Sequence, residues 1–573
     1  MGIKHCFMWF KNQYPQHMNK MHKKQTVMDV GVVIDNLMID MNGIFHNSAQ
    51  KVYEYGNFKP PRSFLNKRPP PPVNKHTELL LFKDVCDTVE ELIRVTSPSK
   101  RVILCVDGPA PISKQNQQRQ RRFRSAKESS GGEGVFDSNC ITPGTLFMDR
   151  LGKYIDWYIR LKVSKDPVWQ QLEIIFSNEK APGEGEHKGL KYIREHKVPT
   201  ESYCINGLDA DLIMLALGTH LPKFYIVRED MYDPSVEYLC VDVGGIHDKL
   251  AESMRWKSSQ HVFNPHTAIE DFIFLCFIVG NDFLPHIPSI EIIQGGLELI
   301  IQICKQVGPS HGHITRHTPD GDIQFVPKSL SVFLGTIGHY EKENFEAKLR
   351  EKFIPDPLLD SCSLRGPKGV WSVDINRYNR LYWEDKFPSN FTEEQVCHEY
   401  LEGMQWVLSY YTKDVPNWKW HYKYHYAPPA SVLCKHFETF KFTNHPMSVP
   451  STPYQQLLCV LPPKSAQLIP KPLCTLLTDD ASPLKKHCPD TFEIDLCGKK
   501  REWEGIVLLP IVDFNLMRRC YFDLIPKVSA NDLKRNIIGR SFSYDFVPES
   551  PYLFRSYYGN IEECRVKTIL IDI

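Results

Sequence analysis

Paired cysteines are missing from this chain. It has 17 cysteines among 573 residues, and no two lie close enough in sequence to make a CxxC pair. Cys6, Cys86, Cys105, Cys140, Cys204 and Cys276 each stand alone, several inside apolar runs. That scatter excludes a disulfide framework and a cysteine zinc site, and it fits free thiols in a reducing compartment. Net charge is equally scarce. The 69 Lys and Arg against 68 Asp and Glu leave +1, so any affinity for nucleic acid must come from local clustering. Long apolar runs are absent too: the longest, Phe272–Gly280, is far too short to span a bilayer. The start has neither an uninterrupted apolar core nor a small-residue cleavage site, and Cys6 stands where a myristoylation signal wants Ser or Thr. There is no internal repeat and no heptad run. These absences predict a protein without a membrane span, cytoplasmic in location, with the nucleus left open.

What is present reads as globular. Hydrophobic residues make up 42% and aromatics 12%, and the length allows more than one domain. Residues 1–290 alternate strand and helix. Val32 to Ile39 is expected to be a buried strand that releases Asp40. A proline-dense loop at Arg68 to Pro72 and a helix from Leu79 to Val95 follow. RVILCVDG is a second buried strand, ending in Asp107. The most basic stretch of the chain, KQNQQRQRRFRSAK from Lys114 to Lys127, has helical spacing, and SSGGEG at 129–134 breaks it. A helix from Leu146 to Leu161 leads to EIIFS and YCIN, two strands that run out into Glu184 and Glu186 and into Asp209 and Asp211. FYIVRED at 224–230 is another strand, and a helix from Thr267 to Val279 ends beside Asp282. Strands apolar on both faces, alternating with helices, predict an α/β fold: a mostly parallel central sheet covered by helices on both faces. Residues 1–290 are taken as this catalytic domain and 291–370 as a connecting segment. Residues 371–573 are taken as an aromatic-rich, mainly helical second region packed against the first.

The chemistry follows from the strand exits. Open α/β sheets bind ligands at the carboxyl ends of their strands. Asp40, Asp107, Glu184, Glu186, Asp209 and Asp211 all fall at such ends, and Asp282 joins them from the end of the Thr267–Val279 helix. An N-cap role accounts for one of Asp209 and Asp211, but not for both, nor for acids at several other exits. Carboxylates so placed repel one another unless cations sit between them, and all-oxygen donors favour Mg²⁺ or Mn²⁺. Two such ions make a phosphodiester-cleaving arrangement. His187, beside these acids, reads as helix surface. On the basic helix, Lys114, Gln118, Arg121 and Arg122 share one broad face. A charge run is usually a solvated face. This one begins just after Asp107, where arginine forks suit phosphate capture and favour a chain end over an internal linkage. Among the aromatics, most of which are core, His46 after Asp40 and Trp418, Trp420 and Tyr424 are the rings from which a base-stacking contact is to be chosen.

These residues also carry a resemblance. VIDNLMIDMNGIFHN, VDGPAPISKQNQQRQRRFRSA, FDSNCITPGTLFM, PGEGEHK, NGLDADLIMLAL and FIVGNDFLPHIP resemble, in order, the signature segments of the Xrn/Rat group of 5′→3′ exoribonucleases. WKWHYKYHYAPPAS, LLCVLPPKSAQLIP and WEGIVLLPIVD resemble that group's second conserved region. The resemblance implies a Mg²⁺-dependent, processive enzyme acting on single-stranded RNA with a 5′-monophosphate and releasing mononucleotides in RNA decay. It implies a PIN/flap-nuclease-like catalytic core. It places the acidic site on the seven carboxylates named above and the 5′-phosphate pocket on Lys114, Gln118, Arg121 and Arg122. His46 would be the stacking histidine, and Trp418 or Trp420 its partner, with Trp418 preferred. The glycine break after the basic helix predicts no tower-like projection. A monomer is expected, with protein partners unspecified. Two alternatives stay open: a flap-type structure-specific DNA nuclease and a non-catalytic RNA-binding scaffold.

Overall fold

The computed structural model describes residues 3, 5–58, 71–128, 135–231, 233–350, 356–366, 369–443, 446–496, 498–499 and 504–573. Most of the proline-dense loop and the whole glycine break at 129–134, and with it the absence of a projection, lie outside the described residues.

Seven strands come from the first half of the chain: β1 (Met18–Met21), β2 (Asn36–Asp40), β3 (Arg101–Cys105), β4 (Glu173–Ser177), β5 (Tyr203–Asn206), β6 (Phe224–Glu229) and β7 (Tyr238–Asp242). They join two strands from near its end, Ser541–Phe546 and Val566–Ile571, in one nine-stranded sheet. The centre, β6-β5-β2-β3-β4, is parallel throughout. Both edges are antiparallel. β1 pairs with β7 on one side. On the other, Ser541–Phe546 pairs with β4 and with Val566–Ile571. Met18–Met21 thereby has a place that its sequence did not announce, as an edge strand.

The strands alternate strictly between two cores, as a period of two requires. Leu37, Ile39, Val102, Leu104, Ile174 and Phe176 face the layer formed by the Met41–Val52, Lys75–Thr96 and Leu146–Lys165 helices. Met38, Ile103, Cys105, Ile175 and Ile205 face the opposite layer, with Leu190, Leu212, Ile246 and Phe272 from four further helices. Both sides of the sheet are therefore buried, which is why its strands read as continuous apolar runs. The second core continues into an all-helical region that includes Gly296–His311, Pro327–Arg350 and Glu393–Thr412.

Two expected elements are shorter or differently bounded. The run from Val32 to Ile39 is not one strand. Val33 is 67% exposed, and the Asp35 carboxylate accepts from Ser99 Oγ at 2.8 Å and Ser202 N at 2.9 Å, fixing a turn before the strand starts at Asn36. The helix expected to run to Val279 ends at Leu275, and a 3₁₀ turn, Cys276–Val279, carries the chain to Gly280. The 16 cysteines described are all free, as their scatter predicted. No helix among the described residues is long and apolar enough to cross a membrane.

Candidate active site

The acids gather at the carboxyl ends of the parallel strands. Asp40 closes β2 and caps the Met41–Val52 helix, its Oδ1 accepting from Asn42 N at 3.2 Å. Asn42 then reaches across to the next exit. Its Nδ2 donates to Asp107 Oδ2 at 3.0 Å, and its Oδ1 accepts from Asp107 N at 2.9 Å. Asp107 Oδ1 in turn accepts from Gly185 N at 2.8 Å, which brings the Glu184–Glu186 turn alongside. The two loops are laced by Gly108 N to Gly183 O and Gly183 N to Pro109 O, each 2.9 Å. That lacing needs glycine. A Cβ on Gly108 would lie 1.8 Å from Ala181 O, and Gly183 has a φ of +109°.

Glu184, Glu186 and Asp211 are buried, at 1%, 6% and 4% exposure. Each is pushed away from its charged form. Burial, then the charges of Asp107 and Asp209, raise Asp40 well above the usual carboxylate range. Burial and Glu184 do the same to Glu186. Burial, Asp209 and Asp282 push Asp211 up to about 7. Asp282 goes the other way. Burial would raise it, but Lys114, whose Nζ lies 2.7 Å from its Oδ2, holds it below its ordinary value.

Lys114 stands at the centre of the acids. It also pairs with Glu184, and despite its own burial these two carboxylates raise its ammonium well above the usual lysine range. Sequence reasoning placed it in the phosphate pocket. The structure puts it among the carboxylates, where one turn of the basic helix, Ile112–Glu128, delivers it. Gln118 is buried and accepts from Gln456 Nε2 at 3.2 Å, and Gln456 also accepts from Ala110 N at 2.8 Å. It braces the basic helix against the second region. Arg121 is exposed, and among the described residues no carboxylate lies in ion-pair contact with it. Arg122 is buried and donates to Thr142 Oγ1. Burial and the neighbouring Arg121 push its guanidinium down to about 9, so the charge is held at a cost that a bound anion would relieve. His46 stands beside the same two arginines. Burial and their charges push it down to about 3, which keeps its ring neutral.

The two tryptophans separate. Trp420 is 7% exposed and stacks on Trp406 with ring centroids 5.0 Å apart, so its ring belongs to the core and is out of reach of a base. Trp418 is half-buried, and its carbonyl accepts from Ile112 N at 3.0 Å, at the entry to the basic helix. Tyr424 is also core, packed on Phe391 and Tyr422.

Three residues were missed or misread. His187 is not helix surface. It is 5% exposed and lies flat on Tyr410, with ring centroids 3.8 Å apart and planes 6° off parallel. Tyr410 and Tyr411 project from the Glu393–Thr412 helix into the acidic cluster. Tyr410 Oη donates to Glu184 Oε1 at 2.9 Å, and Tyr411 Oη to Asp211 Oδ2 at 3.3 Å. The second region thus finishes the site. Its signal in the sequence was the aromatic density itself, without the register that would single out these two rings. Tyr410→Phe keeps the stack on His187 and removes only a hydroxyl bonded to a carboxylate. About 1–3 kcal/mol, on the order of tenfold in rate, should be lost with the fold intact. Near-wild-type turnover in a steady-state assay would place Tyr410 outside the chemistry.

The donor set suits hard divalent cations. The acids supply only oxygen, they repel one another, and the buried Asp211 Oδ1 has no hydrogen-bond partner. A cation would satisfy that oxygen and lower the repulsion. This has a pH consequence. A carboxyl whose folded-state pKa lies above its unfolded value binds more protons folded than unfolded. Its contribution to stability is therefore full below the unfolded value and is lost as pH rises through the folded one. For Asp211 the window runs from the ordinary 3.8 to about 7. In EDTA the melting temperature should fall as pH rises across this window, and added Mg²⁺ should restore it mainly at the alkaline end. Scanning calorimetry at several pH values measures both.

Two family models match the chain: the XRN 5′-3′ exonuclease N-terminus over residues 1–230, and the Xrn1 helical domain over residues 262–355 and 375–564. Among curated proteins, the 5′-3′ exoribonuclease 2 homolog of Drosophila melanogaster is 26% identical over 689 residues, covering 95% of this chain and 73% of that protein. The 5′-3′ exoribonuclease 1 of Saccharomyces cerevisiae is 27% identical, covering 98% and 46%. That of Homo sapiens is 28% identical, covering 100% and 37%. The chain thus spans less than half the length of the last two. Among solved structures, the catalytic core of Rad2 in complex with DNA substrate is 13% identical over 60% of this chain and 79% of that one. Its TM-score of 0.31 is too low to bear on the site.

Proposed function

The chain belongs to the XRN family of 5′-3′ exonucleases and is a 5′-3′ exoribonuclease of RNA decay, and we propose that its substrate is single-stranded RNA carrying a 5′-monophosphate, degraded processively to mononucleotides. The observation that carries the reading is the junction of two opposite sites on one helix. Lys114 lies among the carboxylates, and about two turns on Arg122 is held buried beside the exposed Arg121, at a cost that a bound anion would relieve. A 5′-phosphate gripped by the arginines fixes which phosphodiester reaches the acids.

Asp40, Asp107, Glu184, Glu186, Asp209, Asp211 and Asp282 are proposed to hold two Mg²⁺ or Mn²⁺ ions. When bound, these supply a nucleophilic water and stabilise the departing 3′-oxygen. The chain's own part is positioning. Asn42 and the laced glycine loops fix Asp40, Asp107 and the Glu184–Glu186 turn relative to one another. Lys114 sets the distance between Glu184 and Asp282, and Tyr410 and Tyr411 wall the site from the second region. His46, kept neutral, and Trp418 are proposed to stack on the first bases, a contact blind to sequence. Gln118, held by Gln456, and Arg122, held by Thr142, are proposed to line a phosphate socket too small for a cap or a duplex. The chain is proposed to act as a monomer, in the reducing cytoplasm that free thiols suit.

The test compares 5′-monophosphate, 5′-triphosphate and 5′-hydroxyl RNA of one sequence with Mg²⁺. The monophosphate should decay fastest by at least about tenfold, one charge-assisted contact's worth. Equal rates would remove the socket from the reading, and internal cuts in branched DNA would favour a flap-type nuclease.

A further inference from the structure

At the far end of the Leu212–Leu217 helix that Asp211 opens, three histidines converge. His220 comes from the turn after that helix, His247 from the Val243–Ser253 helix, and His266 from the first turn of the Pro265–Leu275 helix. One ring nitrogen of each lies within 4.8 Å of the others. Among the described residues this is the one trio of His, Cys, Asp or Glu ligand atoms so close. The seven acids of the active site do not form such a group.

The hydrogen bonds around two of the three fix their tautomers. His220 Nε2 lies 3.2 Å from Glu270 Oε1, and His247 Nδ1 lies 3.1 Å from Asp248 Oδ1. An ionised carboxylate only accepts, so both of these nitrogens carry hydrogen. The remaining nitrogens, His220 Nδ1 and His247 Nε2, are then left with lone pairs, and they face each other at 3.0 Å. Two lone pairs at that distance repel unless a proton or a metal cation lies between them. Burial, with His220 alongside, makes a proton on His247 costly. His220 also holds a left-handed backbone, φ +55°, that few non-glycine residues adopt. Glu270 is 1% exposed and accepts from His317 Nε2 as well, so the carboxylate behind His220 is firmly held.

We propose that His220, His247 and His266 form a binding site for one borderline transition-metal dication of the Zn²⁺ class, ligated through His220 Nδ1, His247 Nε2 and one ring nitrogen of His266. Imidazole nitrogen selects such an ion and rejects Mg²⁺ and Ca²⁺, which take oxygen. Metal–nitrogen bonds of about 2.0–2.1 Å in a tetrahedron put ligand nitrogens about 3.3 Å apart, so the 3.0 Å pair needs to open by only a few tenths of an ångström. His266 is exposed and swings in from solvent without disturbing the core. The carboxylates on the outer nitrogens are the supporting shell that zinc-bound histidines use. At His266, Glu270 and Asp248 attract a positive charge and Lys197 opposes them. Such an ion would pin three helices of the catalytic layer together, one of them the helix that carries Asp211.

The test uses untagged full-length protein in saturating Mg²⁺, so that the acids are occupied. Zn²⁺ should bind with a stoichiometry of one, and Co²⁺ in its place should give the visible absorption of a tetrahedral nitrogen site. His266→Ala, an exposed change, should weaken Zn²⁺ binding at least tenfold and abolish the Zn²⁺-dependent rise in melting temperature. His247→Gln should remove both signals. If it fails to fold, the His266→Ala comparison decides. Zn²⁺ binding unchanged in His266→Ala, or lost instead in Asp211→Asn, would overturn the proposal. So would an absent Co²⁺ spectrum together with nitrogen NMR shifts of a proton shared by His220 and His247.

Discussion

Asp211→Asn is expected to lower the rate of RNA hydrolysis by on the order of a hundred- to a thousandfold while raising the melting temperature in divalent-free buffer near pH 8. The two effects have one origin. Asp211 is buried beside Asp209 and Asp282, which with burial push it up to about 7, so near pH 8 the folded protein holds a charge that its surroundings resist. The amide has nearly the same shape and can still accept from Tyr411 Oη through its carbonyl. Its NH₂ group faces carboxylates in place of a like charge. Folding gains what catalysis loses, the usual exchange at sites built from strained charges. The protein with Asp211 should also gain stability on addition of Mg²⁺, by mass action, and Asp211→Asn should gain less. Rates on 5′-monophosphate RNA and melting curves with and without EDTA give all four numbers. A variant that turns over normally, or that melts lower than the parent in EDTA, would mean that Asp211 does not share the metal site.

Much of this arrangement could be read from the chain before its structure. Strands buried on both faces leave a two-sided apolar run, and the acids in the loop that follows such a run lie near a strand exit. Asp40, Asp107 and the acid pairs at 184/186 and 209/211 were therefore legible without any knowledge of strand order. What was not legible depended on contacts between residues far apart in the chain. Tyr410 meets Glu184 across 226 positions and Tyr411 meets Asp211 across 200, and no local pattern encodes either meeting. Helical spacing put Lys114 on one face with Arg121, but one face of a helix can touch two different environments a turn or two apart, and this one does. Trp418 and Trp420 stand two residues apart across a turn, where neither helical nor strand periodicity orients their rings. Only the packing of Trp420 on Trp406 shows which of the two goes inward. The strands at 541–546 and 566–571 complete a sheet whose other members end more than 290 residues earlier, so a reading in sequence order assigns them to the second region.

If the arginines grip the 5′-phosphate as proposed, the choice of substrate end and the chemistry are separable by mutation along one helix. Arg121→Gln should lower the rate on 5′-monophosphate RNA by about ten- to a hundredfold and leave the rate on 5′-hydroxyl RNA within about threefold. The loss corresponds to a charge-assisted phosphate contact of roughly 1.5–3 kcal/mol. Arg121 is exposed and pairs with no carboxylate among the described residues, so its loss costs little in stability. Arg122→Gln is the harsher change. Arg122 is 7% exposed and bonded to Thr142, so the rate of that variant is read beside its melting curve. Neutralising it also releases a guanidinium held at a cost by burial and by Arg121, so the protein without substrate should not be destabilised by charge loss alone. If both phosphate contacts add, the double variant should treat the monophosphate and hydroxyl ends alike. A double variant that still prefers the monophosphate would move end recognition away from these two arginines, to cations nearer the acids such as Lys114 or Lys188.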